Sequence, residues 1–404
     1  MSIALKNMKE YDSKITAIKH ILALLEWDQQ TKMPSKGIEE RSKQISLIST
    51  QYHEMLTSPE FAHSVNALKK KNVYDSLKPI EKDMVRRYDR LISRKQKIPL
   101  SHVREYSKLV SESLYHWETA KKKNNYAIFK PYLKKIIDMK RKEANYIDPK
   151  KNPYEVLLDE YEEGMQVERL DYEFSKLKGG LTVLSEKIRK AKNHNETKKY
   201  SDKIKNLKIS RVELERISNN IASIILKDKD RYRIDSSMHP FTATMGLDDV
   251  RITTKYDNVH FCIGSTIHEA GHALYELSFD PALRGTILAD APSLGMHESQ
   301  SRYWENHVGL SMGFWKANYN LIKKHLGNMT LKQYYNGINH TEPSLIRVES
   351  DEVTYCLHII IRYELERGLM EGTISVNDLP ELWNTKYKTL LGLKPKRNDE
   401  GVLQ

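Results

Sequence analysis

Helical periodicity is the feature that most restricts how this chain can fold. Along most of the 404 residues, apolar side chains recur every three to four positions, and only 17 glycines and 13 prolines interrupt them. This spacing places the apolar residues on one face of a helix. Segment 104–146 is typical of the pattern, and the breaks between such segments, as at Gly179-Gly180, are short. We therefore predict a mainly α fold built from long, packed helices.

One stretch departs from the helical pattern. Residues 250–256 and 259–263 are short segments rich in β-branched and aromatic residues, which is typical of strands. We predict that they form a small strand pair immediately before His268. The pair would lay an extended edge beside the next helix, and such an edge can bind a peptide backbone by strand addition.

Composition excludes several classes of protein. Hydrophobic residues make up 39% of the chain and charged residues 30%, which is too apolar for general disorder and too polar for a membrane protein. Residues 1–12 carry charges where a signal peptide needs an apolar stretch, and no later run approaches 18 apolar residues. Two cysteines are too few for a disulfide framework. We expect a cytoplasmic protein without a membrane partner.

The positive charge of the chain does not indicate a nucleic-acid partner. The formal net charge is +12, but the lysines are spread through helical stretches such as 187–208 rather than gathered around exposed aromatic residues. A solvated, lysine-rich surface explains this distribution. We therefore expect that nucleic acid is not a partner.

The segment His268-Glu-Ala-Gly-His272 is the clearest chemical signal in the sequence. On a helix, two histidines four residues apart lie nearly in angular register and about 6 Å apart along the axis, so both imidazoles converge on one ion. Glu269 projects beside the ion, where it can take a proton from a bound water. The motif predicts a zinc site with a hydrolytic base.

A hydrolytic zinc site needs a third protein ligand and one open position. Glu298 is our choice, because it lies 26 residues after His272 in a second helical segment and shares a face with Arg302 and Glu305. Glu305 would then orient a ligand histidine. His297 is the rival third ligand, but its position next to Glu298 should point it to a different face of the helix.

With these residues in view, the chain resembles the carboxypeptidase Taq family of zinc metallocarboxypeptidases. The segments that match the family's motifs are His239-Pro-Phe, Asp249-Val-Arg-Ile-Thr, His268-Glu-Ala-Gly-His, His297-Glu-Ser-Gln and Ile346-Arg-Val-Glu-Ser-Asp. Ser350 stands where alanine is usual in the family. The similarity covers essentially the whole chain.

The resemblance implies a zincin-like helical metallopeptidase with a deep substrate groove and a small β element next to the metal-bearing helix. It also implies one divalent metal per chain, Zn²⁺ or alternatively Co²⁺, held by His268, His272 and Glu298. The implied activity is release of single C-terminal amino acids from peptides with a free C-terminus. The implied assembly is a homodimer.

Further residues take roles in this interpretation. A free carboxylate is recognised well by a guanidinium fork, and Arg347 is the leading candidate. His239 would donate a hydrogen bond to the developing oxyanion, as the histidine of the family's H-P-F motif is placed to do, although a lone loop histidine is often structural. Arg251 would line the substrate edge or merely pair with Asp249.

We also predict local structure around Arg347. The sequence favours a helix that begins near Thr341 and Pro343. Arg347 would lie in its first turns, with Asp351 and Tyr355 following at three-to-four spacing on the same face. An ordinary pair between Arg347 and Asp351 is the structural alternative to a carboxylate clamp.

We expect residues 1–404 to form a single, mostly helical metallopeptidase domain. The family continues past a G-x-x-Q-D-x-H-W motif, whereas this sequence ends at Gly401-Val-Leu-Gln404. The resemblance therefore implies that a C-terminal part of the family fold is missing. An alternative function follows, namely a catalytically impaired relative that binds metal or peptide without efficient turnover.

Overall fold

The computed structural model describes residues 2–404, and it confirms the prediction of a mainly α fold. The helices before the sheet are α1 (Ile3–Thr31), α2 (Ile38–Leu56), α3 (Pro59–Leu68), α4 (Lys71–Tyr74), α5 (Pro79–Lys95), α6 (Leu100–Lys122), α7 (Tyr126–Ile147), α8 (Pro153–Tyr161), α9 (Val167–Arg189), α10 (His194–Lys205) and α11 (Arg211–Ile225). Many begin at a residue whose side chain accepts a backbone N–H, as Ser210 does from Glu213 at the start of α11.

A small sheet follows α11. Its strands are β1 (Tyr232–Ser236), β2 (Thr242–Gly246) and β3 (Asp249–Thr254), in the order β1-β3-β2. The central strand β3 pairs parallel with β1 and antiparallel with β2. The strand β2 is thus an edge strand, and α1 packs against it.

The helices after the sheet carry most of the residues of interest. They are α12 (Val259–Leu277), α13 (Leu294–Arg302), α14 (Met312–Asn318), α15 (Asn320–Lys323), α16 (Leu331–Ile338), α17 (Glu352–Glu371) and α18 (Leu379–Leu391). A π-helical segment, Tyr303–Gly309, continues α13. Short 3-10 turns lie at Ser35–Gly37, Pro281–Leu283 and Arg347–Glu349.

The predicted strand at residues 259–263 is wrong, because this segment forms the first turns of α12. The side chain of Asn258 accepts the backbone N–H of Phe261 and so caps the helix. The apolar residues Val259, Cys262 and Ile263 are spaced for a helix and are buried in the core beside the sheet. Of the predicted pair, only residues 250–254 lie in a strand, β3.

Three main apolar cores hold the helices together. One surrounds α12 and the sheet, a second surrounds α17 and α18, and a third lies among α1, α3 and α5. The first core buries one face of α12 and leaves the opposite face toward a cavity. Within residues 2–404, no helix has the length and apolar character needed to cross a membrane.

Candidate active site

The structure brings together the three residues predicted to bind metal. His268 and His272 lie on α12, and Glu298 lies on α13. The Nε2 atoms of the two histidines are 3.5 Å and 3.3 Å from Oε2 of Glu298. One ligand atom from each residue falls within 4.8 Å of the others, and this is the only such group of histidine, cysteine or acidic residues in the described part of the chain.

Gly271 explains how Glu298 comes close to His268 and His272. A Cβ atom at Gly271 would lie 2.9 Å from the Cα of Ser301 and 3.1 Å from the carbonyl oxygen of Gln300. The missing side chain therefore lets the backbone of α13 approach α12 directly. This close approach puts Glu298 opposite the two histidines.

The donor set fits a divalent ion of the size of zinc. Tetrahedral bonds of about 2.0–2.1 Å place neighbouring donor atoms ~3.4 Å apart, which matches the nitrogen-to-oxygen distances observed here. The outer nitrogen of His268, Nδ1, lies 2.8 Å from Oε2 of Glu305. This contact fixes the tautomer that leaves Nε2 free to bind a metal. Glu305 thus occupies the supporting position expected from the sequence.

Arg302 links the two carboxylates near the histidines. Its Nε donates to Glu298 at 3.0 Å and its Nη1 donates to Glu305 at 2.9 Å. Burial acts to raise the pKa of Glu298, but the hydrogen bond with His272 and the charges of His268 and Arg302 lower it overall. Both carboxylates are therefore held in the charged form that a cation requires.

His297, the rival third ligand, points away from the ligand group. Its Nε2 lies 2.8 Å from Oε1 of Glu276, and its ring stacks on the ring of His272 with centroids 4.2 Å apart. His297 therefore packs against His272 and stays outside the group formed by His268, His272 and Glu298. The outer nitrogen of His272 is buried without a hydrogen-bond partner among residues 2–404.

Glu269 lies beside the ligands on the cavity side of α12, as predicted from the motif. Its Oε2 accepts a hydrogen bond from Oγ1 of Thr242 at 2.6 Å. Burial raises the pKa of Glu269, while the nearby histidine His268 and the bond from Thr242 act to lower it. A raised pKa brings a carboxylate closer to the range in which it can exchange protons at neutral pH.

Thr242 is a site residue that our sequence reasoning missed. It belongs to β2, and a hydrogen bond across to α12 leaves no periodic trace in the sequence. Its position three residues after His239 in the His239-Pro-Phe segment is the only local signal.

Arg347 lines the same cavity as Glu269 and the three ligands. Its Nη1 donates to the hydroxyl of Tyr355 at 2.7 Å. The Tyr355 ring also packs against the guanidinium of Arg302, at 3.5 Å from the ring centroid. Arg347 has no carboxylate within 4.0 Å among the described residues, and its charge is therefore available to a ligand.

The predicted helix around Arg347 is wrong. Arg347–Glu349 is a short 3-10 turn, and α17 begins only at Glu352. The side chain of Asp351 caps α17 by accepting the backbone N–H groups of Val353 and Thr354. Because Asp351 is committed to this cap, the ordinary pair with Arg347 does not form.

His239 is not among the residues that line the cavity, although the next residue, Pro240, is. The ring of His239 faces Trp117 with centroids 5.4 Å apart. Burial lowers the pKa of His239 to about 4, and the nearby cations Lys121, Lys255 and Arg347 act in the same direction. The imidazole is therefore neutral at pH 7. Its Nε2 is buried without a partner in residues 2–404.

Arg251 is not among the residues that line the cavity. Its guanidinium forms two hydrogen bonds with Asp249, at 2.9 Å and 2.8 Å. It also lies over the ring of Trp27, 4.5 Å from the centroid. These contacts join β3 to α1.

The cavity that contains these groups has a volume of about 730 Å³. Its floor is the face of α12 that carries Glu269 and the ligand histidines. Its walls come from residues 240–242 at the start of β2 and from the segment 338–355. A cavity of this size with charged groups at one point of its floor is typical of an enzyme site.

Comparison with known proteins identifies the class. A model of the carboxypeptidase Taq (M32) metallopeptidase family matches residues 7–404. Carboxypeptidase 1 of Bacillus subtilis (strain 168) is 36% identical over 408 residues, covering 98% of this chain and 79% of that protein. Thermostable carboxypeptidase 1 of Pyrococcus furiosus is 38% identical over 400 residues, covering 97% of this chain and 78% of that protein.

Solved structures agree with the sequence comparisons. The crystal structure of an M32 carboxypeptidase from Deinococcus radiodurans R1 superposes with a TM-score of 0.89 at 32% identity, covering 100% of this chain and 80% of that one. The chain belongs to the carboxypeptidase Taq (M32) family of metallopeptidases. It is a metallocarboxypeptidase, a peptide hydrolase that uses a divalent metal, and the family match favours this function over an impaired relative.

Proposed function

We propose that the chain releases single C-terminal residues from peptides at one divalent ion, held by His268, His272 and Glu298. The observation that carries the proposal is the convergence of the two Nε2 atoms on Oε2 of Glu298, at 3.5 Å and 3.3 Å. Two imidazoles and one carboxylate favour Zn²⁺, and Co²⁺ accepts the same donors. When bound, the ion supplies Lewis-acid chemistry and lowers the pKa of a coordinated water toward ~7.

Glu269 is the proposed general base. It takes a proton from the attacking water and later delivers it to the leaving amine. Thr242 supports this role, because its hydroxyl fixes one carboxylate oxygen at 2.6 Å and so orients the other. Burial of Glu269 also excludes bulk water that would otherwise compete for the proton.

Arg347 is the proposed partner of the substrate's free carboxylate. The guanidinium lines the cavity, lacks an acidic partner among residues 2–404, and is held in place by the hydroxyl of Tyr355. An arginine fork recognises a carboxylate through two parallel hydrogen bonds. This recognition would restrict cleavage to the last peptide bond of the substrate.

His239 is the proposed hydrogen-bond donor to the developing oxyanion. A neutral imidazole donates from one nitrogen, and the lowered pKa of His239 keeps the ring neutral at pH 7. For Arg251, the observed contacts with Asp249 and Trp27 favour the role of holding the sheet against α1 over the role of lining the substrate edge.

We further propose that residues 1–404 form one domain, and that the protein is a cytoplasmic homodimer. Packing of α1 against β2 supports the single domain, since it joins the first helix to an element more than 200 residues away. Both cysteines are free, which suits a reducing compartment. Light scattering of the purified chain tests the dimer, and a monomer at micromolar concentration would contradict it.

The central experiment is hydrolysis of an N-blocked dipeptide by the purified chain. Activity should appear with added Zn²⁺ or Co²⁺ and disappear with a chelator. Glu269→Gln should bind metal normally yet lose at least 100-fold in turnover, since a general base contributes about 10²–10⁴-fold. Full turnover by this variant, with its metal content verified, would exclude Glu269 as the base.

A further inference from the structure

Gly264 has no packing reason to be a glycine. It lies inside α12, where glycine costs about 1 kcal/mol relative to alanine. A Cβ atom at Gly264 would meet nothing within 4 Å, whereas a Cβ at Gly271 in the same helix would collide with α13. Gly264 lines the cavity. The absent side chain therefore gives space to the cavity and not to a neighbouring helix.

The space at Gly264 forms a trough along the N-terminal half of α12. His260, Gly264 and His268 follow one another at intervals of four residues, so they lie along one face, each about 6 Å further along the axis. His260 is thus about 12 Å along the helix from the ligand His268. The apolar residues Phe261 and Ile267 flank the trough. It is long enough for a large side chain.

The trough lies near Glu305, because the charge of Glu305 acts on His260 at its far end. The segment 339–344 lines the same cavity and leads directly into Arg347. Arg347 is joined through Tyr355 and Arg302 to Glu305, the partner of the nearer ligand His268. The other end of the cavity, at Leu294 and His297, lies beyond His272.

His260 forms the far end of the trough. Its imidazole lines the cavity and makes no hydrogen bond or ion pair with any of residues 2–404. Burial lowers the pKa of His260 to about 4, with the charge of Lys205 acting in the same direction. A neutral imidazole offers one N–H donor and one nitrogen acceptor. The end of the trough therefore suits an uncharged hydroxyl group, since the two charges that act on His260, those of Lys205 and Glu305, have opposite signs.

We propose that this trough is the subsite for the side chain of the substrate's C-terminal residue, and that Gly264 and His260 make it select a large, uncharged side chain with a terminal hydroxyl. The inference rests on the proposed function. There, the substrate's free carboxylate binds Arg347 and the scissile carbonyl lies at the metal ligands, and these two contacts fix where the C-terminal residue lies. Tyrosine at the C-terminus has the required chemistry: its ring fills the trough beside Phe261, and its hydroxyl reaches His260.

The test compares N-blocked dipeptides that end in Ala, Phe or Tyr. The wild type should prefer Tyr over Phe by about fivefold in kcat/KM, as one added hydrogen bond provides. His260→Leu should bring this ratio near one. Gly264→Leu should lower the ratio of Phe to Ala at least tenfold, because the new side chain fills the trough. Gly180→Leu is the matched control, since Gly180 lies in the exposed helix α9 and also has open space around its Cβ.

Two results would overturn the subsite. The first is that the ratios of kcat/KM between the dipeptides stay unchanged in both Gly264→Leu and His260→Leu. The second is that the two substitutions change these ratios only when the penultimate residue of the substrate is varied. The same dipeptides are also titrated by calorimetry into the metal-loaded Glu269→Gln variant. If the wild type cleaves none of these dipeptides, the proposed function fails. The calorimetry still decides the subsite in that case, because it compares the order of the dipeptide affinities of Glu269→Gln with and without the added Gly264→Leu substitution.

Discussion

Oε2 of Glu305 lies 2.8 Å from Nδ1 of His268, on the side of the ring opposite the nitrogen that faces Glu298. The carboxylate holds the imidazole in one orientation and one tautomer. The second proposed ligand, His272, has no such carboxylate among residues 2–404 and is instead stacked on His297. The two ligand histidines are therefore supported by different physical means.

Glu305→Gln should weaken metal binding by about 10–100-fold, the usual effect of losing a carboxylate behind a ligand histidine. Competition with a fluorescent chelator measures the affinity without reference to activity. Glu352→Gln is a suitable control, because Glu352 lines the same cavity without contacting a ligand histidine. Equal affinity of Glu305→Gln and the wild type would show that the contact does not support the site.

Arg347→Ala should raise KM for N-blocked dipeptides by about 10–100-fold, since a hydrogen bond to a charged group contributes about 1.5–3 kcal/mol. The loss should vanish for a substrate whose C-terminus is amidated. Arg233→Ala serves as the control, because Arg233 pairs with Asp235 away from the cavity. An unchanged KM for the free-acid substrate would exclude the carboxylate role of Arg347.

Gly271→Ala should destabilise the protein by about 1–3 kcal/mol, because the added methyl group must push α13 away from α12. Metal affinity should fall as well, since Glu298 moves with α13. Gly264→Ala in the same helix provides the contrast, with a gain of about 0.5–1 kcal/mol from better helix propensity. Urea unfolding measures both, and equal stability of the two variants would contradict the packing argument.

Asp12 should make stability depend on pH. Burial raises its pKa from 3.8 to about 6, although Tyr88 and the backbone N–H of Ile287 donate to it. Because the pKa of Asp12 is raised in the folded state, its contribution to the free energy of unfolding is fully present below pH 3.8. This contribution is lost as the pH rises through 6. Relative to Asp12→Asn, the wild type should lose about 3 kcal/mol across this range.

Urea unfolding of both proteins between pH 4.5 and pH 7.5 tests the linkage, and about 2 kcal/mol of the loss should fall within this window. The difference in unfolding free energy isolates Asp12, because the other titrating groups are common to both proteins. Parallel pH profiles would show that Asp12 titrates normally in the folded state.

The sequence predicted the parts of the site that depend on helical spacing. His268 and His272 share a face because they are four residues apart, and the same rule grouped Glu298 with Arg302 and Glu305. These groupings involve one helix at a time. The approach of the two helices at Gly271 is visible only in the structure.

The wrong predictions have local causes. A short apolar run such as 259–263 suits a buried strand and a buried helix equally well, and here the cap at Asn258 and the core decide for the helix. The segment at Arg347 was assigned to a helix because Pro343 suits a first turn, yet Asp351 starts the helix later. Thr242 was missed because its bond to Glu269 crosses between elements.

The connection from α12 to α13 is anchored on the first helix of the chain. Asp12 accepts the backbone N–H of Ile287, and Lys19 pairs with Asp290. The residues in these contacts are 275 and 271 positions apart in the sequence. The connection that they hold joins the helix of His268 and His272 to the helix of Glu298. Docking of the amino-terminal helix therefore stabilises the arrangement in which the metal site is complete. During synthesis that helix leaves the ribosome long before its partner exists, so the metal centre should be among the last regions of the nascent protein to mature.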